Sequence, residues 1–197
     1  MDIQTVIFDF KKPNKKLLGW ARTFKRPAVR ASDIAPMGFY DLLGLQRNLV
    51  CQWFLEKTDA EYLLMLDADI VPFIGTKPIL TQAAPILGPT FIRADQHINH
   101  EPDGEIGAAC LRISRHALLN IERPWFQFVL SPDGLSLEDC ECGWFGRQAR
   151  KAGYHPVRSG AIEHIIEVIA TPVDGDNFRW RPIIGECDVD KDQKLDQ

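Results

Sequence analysis

Two aspartates one residue apart, Asp67 and Asp69, directly follow an apolar segment and precede Pro72. Carboxylate oxygens are the hard ligands that Mg²⁺ and Mn²⁺ prefer, and these ions bind one or two carboxylates together with the phosphates of a substrate. Open α/β sheets bind their ligands at the C-terminal ends of strands, where this pair would lie. We therefore expect Asp67 and Asp69 to hold a divalent ion that offsets the charge of a leaving diphosphate.

A second acidic pair, Glu138 and Asp139, opens a segment, residues 137–152, whose pattern predicts a helix ended by Gly153. Carboxylates at a helix start interact favourably with the helix dipole, which is one explanation of the pair. The other is that a carboxylate facing a pocket acts as a general base. His164 likewise fits either a buried core position or a functional one. The residues alone leave these alternatives open.

The five cysteines favour structural thiols. They are an odd number without the Cys-x-x-Cys spacing of a zinc ribbon, which indicates reduced thiols. Cys140 and Cys142 are two residues apart, and on a helix their side chains would point about 200° apart. We therefore expect that they do not chelate one ion together.

The elements that position these residues alternate between strands and helices. Apolar spacing and turn residues predict strands at 5–10, 61–66 and 107–113, helices at 39–57, 77–84, 114–121 and 137–152, and extended segments at 154–157 and 161–169. Ser114 is the expected N-cap of the third helix, and residues 95–105 are expected to form a loop. The alternation predicts an α/β fold, with one domain over residues 1–185 and a polar tail at 186–197.

The composition of the 197 residues, 45% hydrophobic and 25% charged, excludes a disordered, collagen-like, coiled-coil or disulfide-scaffold chain. No apolar run approaches the roughly 20 residues that span a bilayer, and the first residues do not form a secretory signal. We therefore expect a cytoplasmic protein without a membrane span. Residues 1–50 hold nine Lys or Arg and four Asp or Glu, a balance of +5, which leaves −9 for the rest of the −4 total. The basic part either solvates a surface or binds an anionic partner.

In their order and spacing, these motifs resemble the glycosyltransferases of the GT-A fold, in particular small inverting family-2-like enzymes. The resemblance covers residues 32–164. It rests on Asp67-Ala68-Asp69 at a strand end, on Glu138-Asp139 opening a helix that closes at Ala152-Gly153-Tyr154, on the small-residue strand within 107–115, and on the later His164. The resemblance implies a Rossmann-like three-layer α/β/α sandwich with a mixed, mostly parallel central sheet.

The resemblance also implies roles for individual residues. Asp139 would be the catalytic base, with Glu138 beside it, and His164 would complete the metal shell of Asp67 and Asp69. The donor-binding residues would be Asp67, Arg47, Asp33, Gly107 and Ala108. Trp125 and Phe126 would form the aromatic wall of the acceptor site.

These roles predict an enzyme that uses Mn²⁺ or Mg²⁺ to move a sugar from a nucleoside-diphosphate-sugar donor to a hydroxyl acceptor, with inversion. The acceptor would be a glycan or another hydroxyl compound, and modified nucleic acid is one option because clustered basic residues attract it. A haloacid-dehalogenase-like phosphatase is one alternative, since residues 67–71 also fit a D-x-D-x-V nucleophile motif. The other is a non-catalytic module that binds a nucleotide-sugar or a glycan. The sequence leaves the oligomeric state open.

Overall fold

The computed structural model describes residues 1–35, 43–93, 106–135, 137–165, 168–174 and 177–182. Contacts divide the chain into two units, Met1–Ile165 and Ile166–Gln197. The predicted loop at 95–105, the first residues of the helix predicted from 39, and the predicted tail at 186–197 lie outside the described residues.

The described elements of the first unit are nine strands and six α-helices. The strands are β1 (Ile3–Phe8), β2 (Val29–Arg30), β3 (Tyr62–Asp67), β4 (Ile70–Val71), β5 (Ile86–Arg93), β6 (Cys110–Ser114), β7 (Val129–Leu130), β8 (Leu137–Asp139) and β9 (Val157–His164). The helices are α1 (Lys15–Ala21), α2 (Ala31–Ile34), α3 (Leu43–Lys57), α4 (Pro78–Thr81), α5 (Arg115–Asn120) and α6 (Glu141–Lys151), with a 3₁₀ turn at Ile74–Thr76. In the second unit, β10 (Val168–Asp174) and β11 (Asn177–Pro182) form an antiparallel hairpin.

Seven strands form the central sheet in the order β2-β1-β3-β6-β5-β9-β4. The pairs β1–β2, β1–β3 and β5–β9 are parallel, and β6 and β4 run against their neighbours. Five of the seven strands therefore point in one direction. This arrangement confirms the predicted α/β fold with a mixed, mostly parallel sheet. The remaining pair, β7 and β8, forms a small antiparallel sheet of its own.

The strand β3 supplies side chains to both faces of the sheet, because successive residues of a strand point to opposite sides. Leu63 and Met65 pack in a core with α3, α5 and α6, whereas Leu64 and Leu66 pack in a second core with α1 and α4. All four side chains are fully buried, and each contributes about 1.5–3 kcal/mol of burial free energy. The two cores make the three layers of the sandwich.

Local signals in the sequence explain where two helices begin or end. The Ser114 hydroxyl accepts a hydrogen bond from the Ala117 amide at 3.1 Å, which confirms its predicted role as the N-cap of α5. Gly153 follows α6 with φ of +83°, a left-handed conformation that favours glycine at a helix end. This confirms the predicted end of the helix.

Several features of the fold differ from the sequence-based prediction, among them α1, β5 and the start of α6. Neither α1 nor β5 was expected; in β5, Gly88 and Pro89 interrupt the apolar pattern, and the pairing with β9 shifts register between Gly88 and Thr90 to accommodate them. The helix predicted from residue 137 begins instead at Glu141. Residues 137–139 form β8 because they pair with β7, so Glu138 and Asp139 lie before the helix rather than on its first turn.

Candidate active site

Asp67 lies at the C-terminal end of β3, where its register partner on β1 is Phe8. Its two carboxylate oxygens accept hydrogen bonds from Arg47 Nη2 at 3.0 and 3.2 Å. Burial raises the pKa of the Asp67 carboxyl above its usual value, and the Arg47 guanidinium opposes this effect without cancelling it. The structure thus gives Asp67 a buried cation as its partner.

The Arg47 guanidinium joins three parts of the site. Its Nη1 donates to the Ala108 carbonyl at 3.1 Å, and its Nε lies 3.6 Å from Glu141 Oε1 on the first turn of α6. The guanidinium also lies over the Phe8 ring, 4.6 Å from its centroid. Since the Arg47 side chain is only 1% exposed, this contact set ties α3 to the end of β3 and to the start of α6.

Asp69 has a different set of partners, although it is only two residues away. Its Oδ2 lies 3.2 Å from Lys11 Nζ and its Oδ1 lies 3.3 Å from His164 Nε2. His164 reaches this position because β4 pairs with β9 in a register that sets Ile70 opposite His164. Burial is the largest single influence on Asp69 and acts to raise its pKa, but His164 and Lys11 outweigh it, so the pKa lies below its usual value.

These contacts bear on the predicted metal site. Asp69 Oδ1 is buried and accepts no well-aligned hydrogen bond, although His164 Nε2 lies 3.3 Å from it, so this oxygen keeps a lone pair for a cation beside His164. A carboxylate and an imidazole suit Mn²⁺, and a carboxylate suits Mg²⁺ as well. Both oxygens of Asp67 are bound by Arg47, so the residues that fit an ion directly are Asp69 and His164. In the part of the chain that the structure describes, Asp67, Asp69 and His164 do not form a three-ligand cluster.

The predicted base, Asp139, is the last residue of β8. Its carboxylate forms an ion pair with Arg147 of α6 and lies against Gly143, where an added Cβ would overlap it. The Asp139 side chain is 15% exposed, and Glu138 beside it is exposed. Asp139 is two residues before Glu141, whose contact with Arg47 connects this segment to Asp67.

The predicted donor-binding residues are placed in two groups. Gly107 and Ala108 are both buried, and the Ala108 carbonyl accepts a hydrogen bond from Arg47. Asp33 is exposed on α2, away from these hydrogen bonds. Its neighbour Ser32 donates through both its amide and its hydroxyl to the Asp9 carboxylate, at 3.1 and 2.7 Å.

The predicted acceptor wall consists of core side chains in this structure. Trp125 and Phe126 are each 2% exposed. The Trp125 indole donates to the Leu118 carbonyl at 3.1 Å, and the Phe126 ring stacks on Phe145 with centroids 4.8 Å apart. These contacts account for both aromatic side chains as members of the hydrophobic core.

Two charged site residues were not predicted from the sequence. Lys11 was counted only within a basic cluster, and its contact with Asp69 follows from the parallel pairing of β1 with β3, which brings the segments after both strands to one edge. Glu141 was not distinguished from the acidic residues before it. Its buried position shows only once the first turn of α6 packs against Arg47.

The expectation for the cysteines at the start of α6 is wrong in its geometry. Cys140 is the N-cap, with extended φ and ψ of −79° and 165°, so the helical angle between it and Cys142 does not apply. The two Sγ atoms lie 2.8 Å apart. The thiols and the Glu141 carboxylate form a group whose ligand atoms lie within 4.8 Å of one another.

The fold and the site together define a three-layer α/β protein with a charged cluster at the C-terminal ends of its parallel strands. No protein family and no curated protein matches the sequence. Among solved structures, A197 from STIV is similar with 18% identity and a TM-score of 0.56, covering 85% of this chain and 87% of A197. This likeness shows a shared fold.

A glycosyltransferase involved in the glycosylation of the major capsid of PBCV-1 is also similar, with 19% identity, a TM-score of 0.42, and coverage of 64% of this chain and 70% of that one. Across the described residues, every helix is too short or too polar to cross a membrane.

Proposed function

We propose that this protein is a metal-dependent glycosyltransferase that uses a nucleoside-diphosphate-sugar donor. The observation that carries the proposal is the environment of Asp69, a buried carboxylate at a strand end with Lys11 on one side and His164 on the other. Its Oδ1 accepts no well-aligned hydrogen bond, and the polar atom nearest to it in this cluster is His164 Nε2 at 3.3 Å. Such a carboxylate fits an ion that is shared with a diphosphate.

Lys11 and Asp69 would bind the donor together. The Lys11 side chain is 36% exposed, so its ammonium can turn from Asp69 to a phosphate oxygen when the donor arrives. Asp69 and His164 would hold Mn²⁺ or Mg²⁺, which supplies positive charge toward a leaving diphosphate. Arg47 would hold the Asp67 carboxylate in position, because it donates hydrogen bonds to both Asp67 oxygens.

Asp139 would take the proton from the acceptor hydroxyl. Arg147 holds its carboxylate by an ion pair, and the absence of a side chain at Gly143 leaves the room that this position needs. A carboxylate on the opposite side of the sugar from the leaving diphosphate would give inversion. Glu141 connects the base segment to Asp67 through Arg47.

The phosphatase alternative would require Asp67 as the nucleophile. Its carboxylate is 6% exposed and both oxygens are bound by Arg47, so this geometry does not favour attack on a phosphate ester. The binding-module alternative shares the same donor contacts and differs only in the absence of turnover.

Donor binding can be tested by thermal unfolding with a panel of nucleotide-sugars, each with and without Mn²⁺. A donor at about 100 times its Kd should stabilise the fold by about 2.7 kcal/mol, which for a chain of this size is a Tm increase of about 5–10 °C. Asp69→Asn should remove the increment that depends on the metal. Asp133→Asn, which changes an exposed acid in a turn, is the matched control and should retain it.

Turnover is then measured as release of the nucleoside diphosphate. Asp139→Asn should keep donor stabilisation but lose transfer. If Asp139→Asn and Asp69→Ala both retain full transfer, the proposed site is wrong. Donor binding without turnover would instead favour the binding module, and hydrolysis of a simple phosphate ester without a donor would favour the phosphatase.

A further inference from the structure

The start of α6 carries a pair of thiols that the proposed reaction does not use. Cys140 is the N-cap, and its Sγ accepts a hydrogen bond from the Gly143 amide at 3.3 Å. Cys142, on the first turn, places its Sγ 2.8 Å from that of Cys140. Both side chains are partly exposed, whereas Cys51 and Cys110 are buried.

The separation of the sulfurs favours a disulfide over a metal site. Two thiolates on one tetrahedral Zn²⁺, with bonds of about 2.3 Å, are about 3.8 Å apart, whereas these atoms are already closer at 2.8 Å. Glu141, the third member of the group, directs its carboxylate to Arg47. Residues two apart in the chain are separated by at most about 7 Å, and a disulfide joins Cα atoms about 4.4–6.8 Å apart.

The environment of Cys140 also favours thiolate chemistry. The hydrogen bond from Cys142 is the largest influence and lowers the pKa of the Cys140 thiol to about 7, despite partial burial. Burial raises the pKa of Cys51 and of Cys110. Cys140 is therefore a better attacking thiol than Cys51 or Cys110.

We propose that Cys140 and Cys142 form a reversible dithiol–disulfide pair that reacts with low-molecular-weight disulfides such as oxidised glutathione. The Cys140 thiolate attacks one sulfur of the oxidant, whose S–S bond breaks and releases one thiolate. Cys142 then loses its proton and attacks the Cys140 sulfur of the mixed disulfide, which expels the second thiolate. Two electrons pass from the cysteines to the oxidant, and the two leaving thiolates take up the two protons.

The position of the pair gives the disulfide a structural consequence. It would close a small ring around Glu141, the residue that contacts Arg47, and this ring would begin at Cys140, one position after Asp139. Oxidation would also remove the thiolate that accepts the Gly143 amide at the start of α6. The pair is therefore a modification site built into the segment that holds Asp139 and Glu141.

The test uses the full chain with Cys187→Ser, so that this further thiol does not compete. The protein is incubated with oxidised glutathione, remaining thiols are alkylated, and peptides are mapped by mass spectrometry. We expect a Cys140–Cys142 crosslink, loss of two reactive thiols, no retained glutathione, and full recovery of both thiols with a reductant. Cys142→Ala in the same background should retain one glutathionyl group on Cys140.

Three results would overturn the proposal. The first is that both cysteines still react with the alkylating agent after oxidant treatment. The second is that each cysteine carries its own glutathionyl group, so that no internal disulfide forms. Alternatively, Zn²⁺ alone protects both thiols from alkylation, which would identify a metal site. The crosslink is measured on the protein without substitution at positions 140 and 142, so the result does not depend on whether the Cys142→Ala variant folds.

Discussion

Replacement of Arg47 by methionine should destabilise the protein strongly, because Arg47 is the shared partner of two buried carboxylates. Arg47→Met leaves Asp67 without both of its hydrogen bonds and Glu141 without its nearby cation, and removes the donor to the Ala108 carbonyl. Removal of one partner of a buried ion pair costs about 3–5 kcal/mol. Methionine keeps much of the side-chain length, so little of this loss should come from a cavity.

Urea unfolding measures this effect. With an m value of about 2–3 kcal/mol/M, a loss of about 3–5 kcal/mol lowers the midpoint by about 1–2.5 M. A double-mutant cycle with Asp67→Leu separates the interaction energy of Arg47 with Asp67 from that of the other Arg47 contacts. Replacing both ionic partners by apolar residues is often close to neutral in stability. The double variant should therefore be at least about 2 kcal/mol more stable than the sum of the two single changes indicates.

The pH dependence gives an independent check. Burial already raises the pKa of Asp67, and loss of Arg47 should raise it further. A carboxyl whose pKa is higher in the folded than in the unfolded state destabilises the fold at pH values above its folded-state pKa. This destabilisation disappears as the pH falls and the carboxyl becomes protonated in both states. The difference between wild type and Arg47→Met should thus shrink as the pH falls from 7 toward 5. A loss below about 1 kcal/mol, strict additivity in the cycle, or a difference that grows on acidification would refute the reasoning.

Three other changes test separate contacts. Lys11→Met removes a half-exposed cation beside Asp69, so the free energy of unfolding should change by less than about 1 kcal/mol while donor-induced stabilisation, measured as Tm, falls several-fold. Gly143→Ala puts a Cβ into the Asp139 carboxylate and should lower turnover on the order of 100-fold with an unchanged circular dichroism spectrum. Alkylation of Cys140 by iodoacetamide should rise to half its maximal rate near pH 7, since the thiolate reacts and its pKa is about 7.

Each of these three predictions has a result that would contradict it. Unaltered donor binding in Lys11→Met would remove Lys11 from the donor site. Wild-type turnover in Gly143→Ala would mean that the Asp139 carboxylate can move without cost. An alkylation midpoint near pH 9 would show that the hydrogen bond from Cys142 does not stabilise the Cys140 thiolate. If this hydrogen bond does stabilise it, Cys142→Ala removes the donor and should shift the midpoint to higher pH.

Elements with strong local patterns were predictable from the sequence. The apolar run of β3 and the Ser114 cap of α5 each carry their signal within a few neighbouring residues. By contrast, β5 contains Gly88 and Pro89, and α1 has Gly19 in its interior. These elements are stabilised by side chains from other parts of the chain, such as Leu17 in the second core, and a local pattern does not contain that information.

The resemblance to glycosyltransferases depended on the order of the motifs, and it located Asp139 and His164 as residues of interest. It placed the acidic pair at a helix start, whereas the pairing of β8 with β7 moves both residues in front of the helix. The helical projection of Cys140 and Cys142 failed for the same reason. The helix begins later than predicted, so Cys140 is its N-cap with extended dihedral angles, and helical periodicity does not extend to that residue.

The sequence by itself determined that two carboxylates would follow a buried strand, because the apolar run and Pro72 are local features. Only the tertiary structure decided which cation each carboxylate receives. Asp67 points toward α3 and Arg47, while Asp69 meets Lys11 and His164. Those partners come from distant segments that β-sheet pairing brings to one edge, and the energy of a charge pair depends on distance and burial in space, not on separation along the chain.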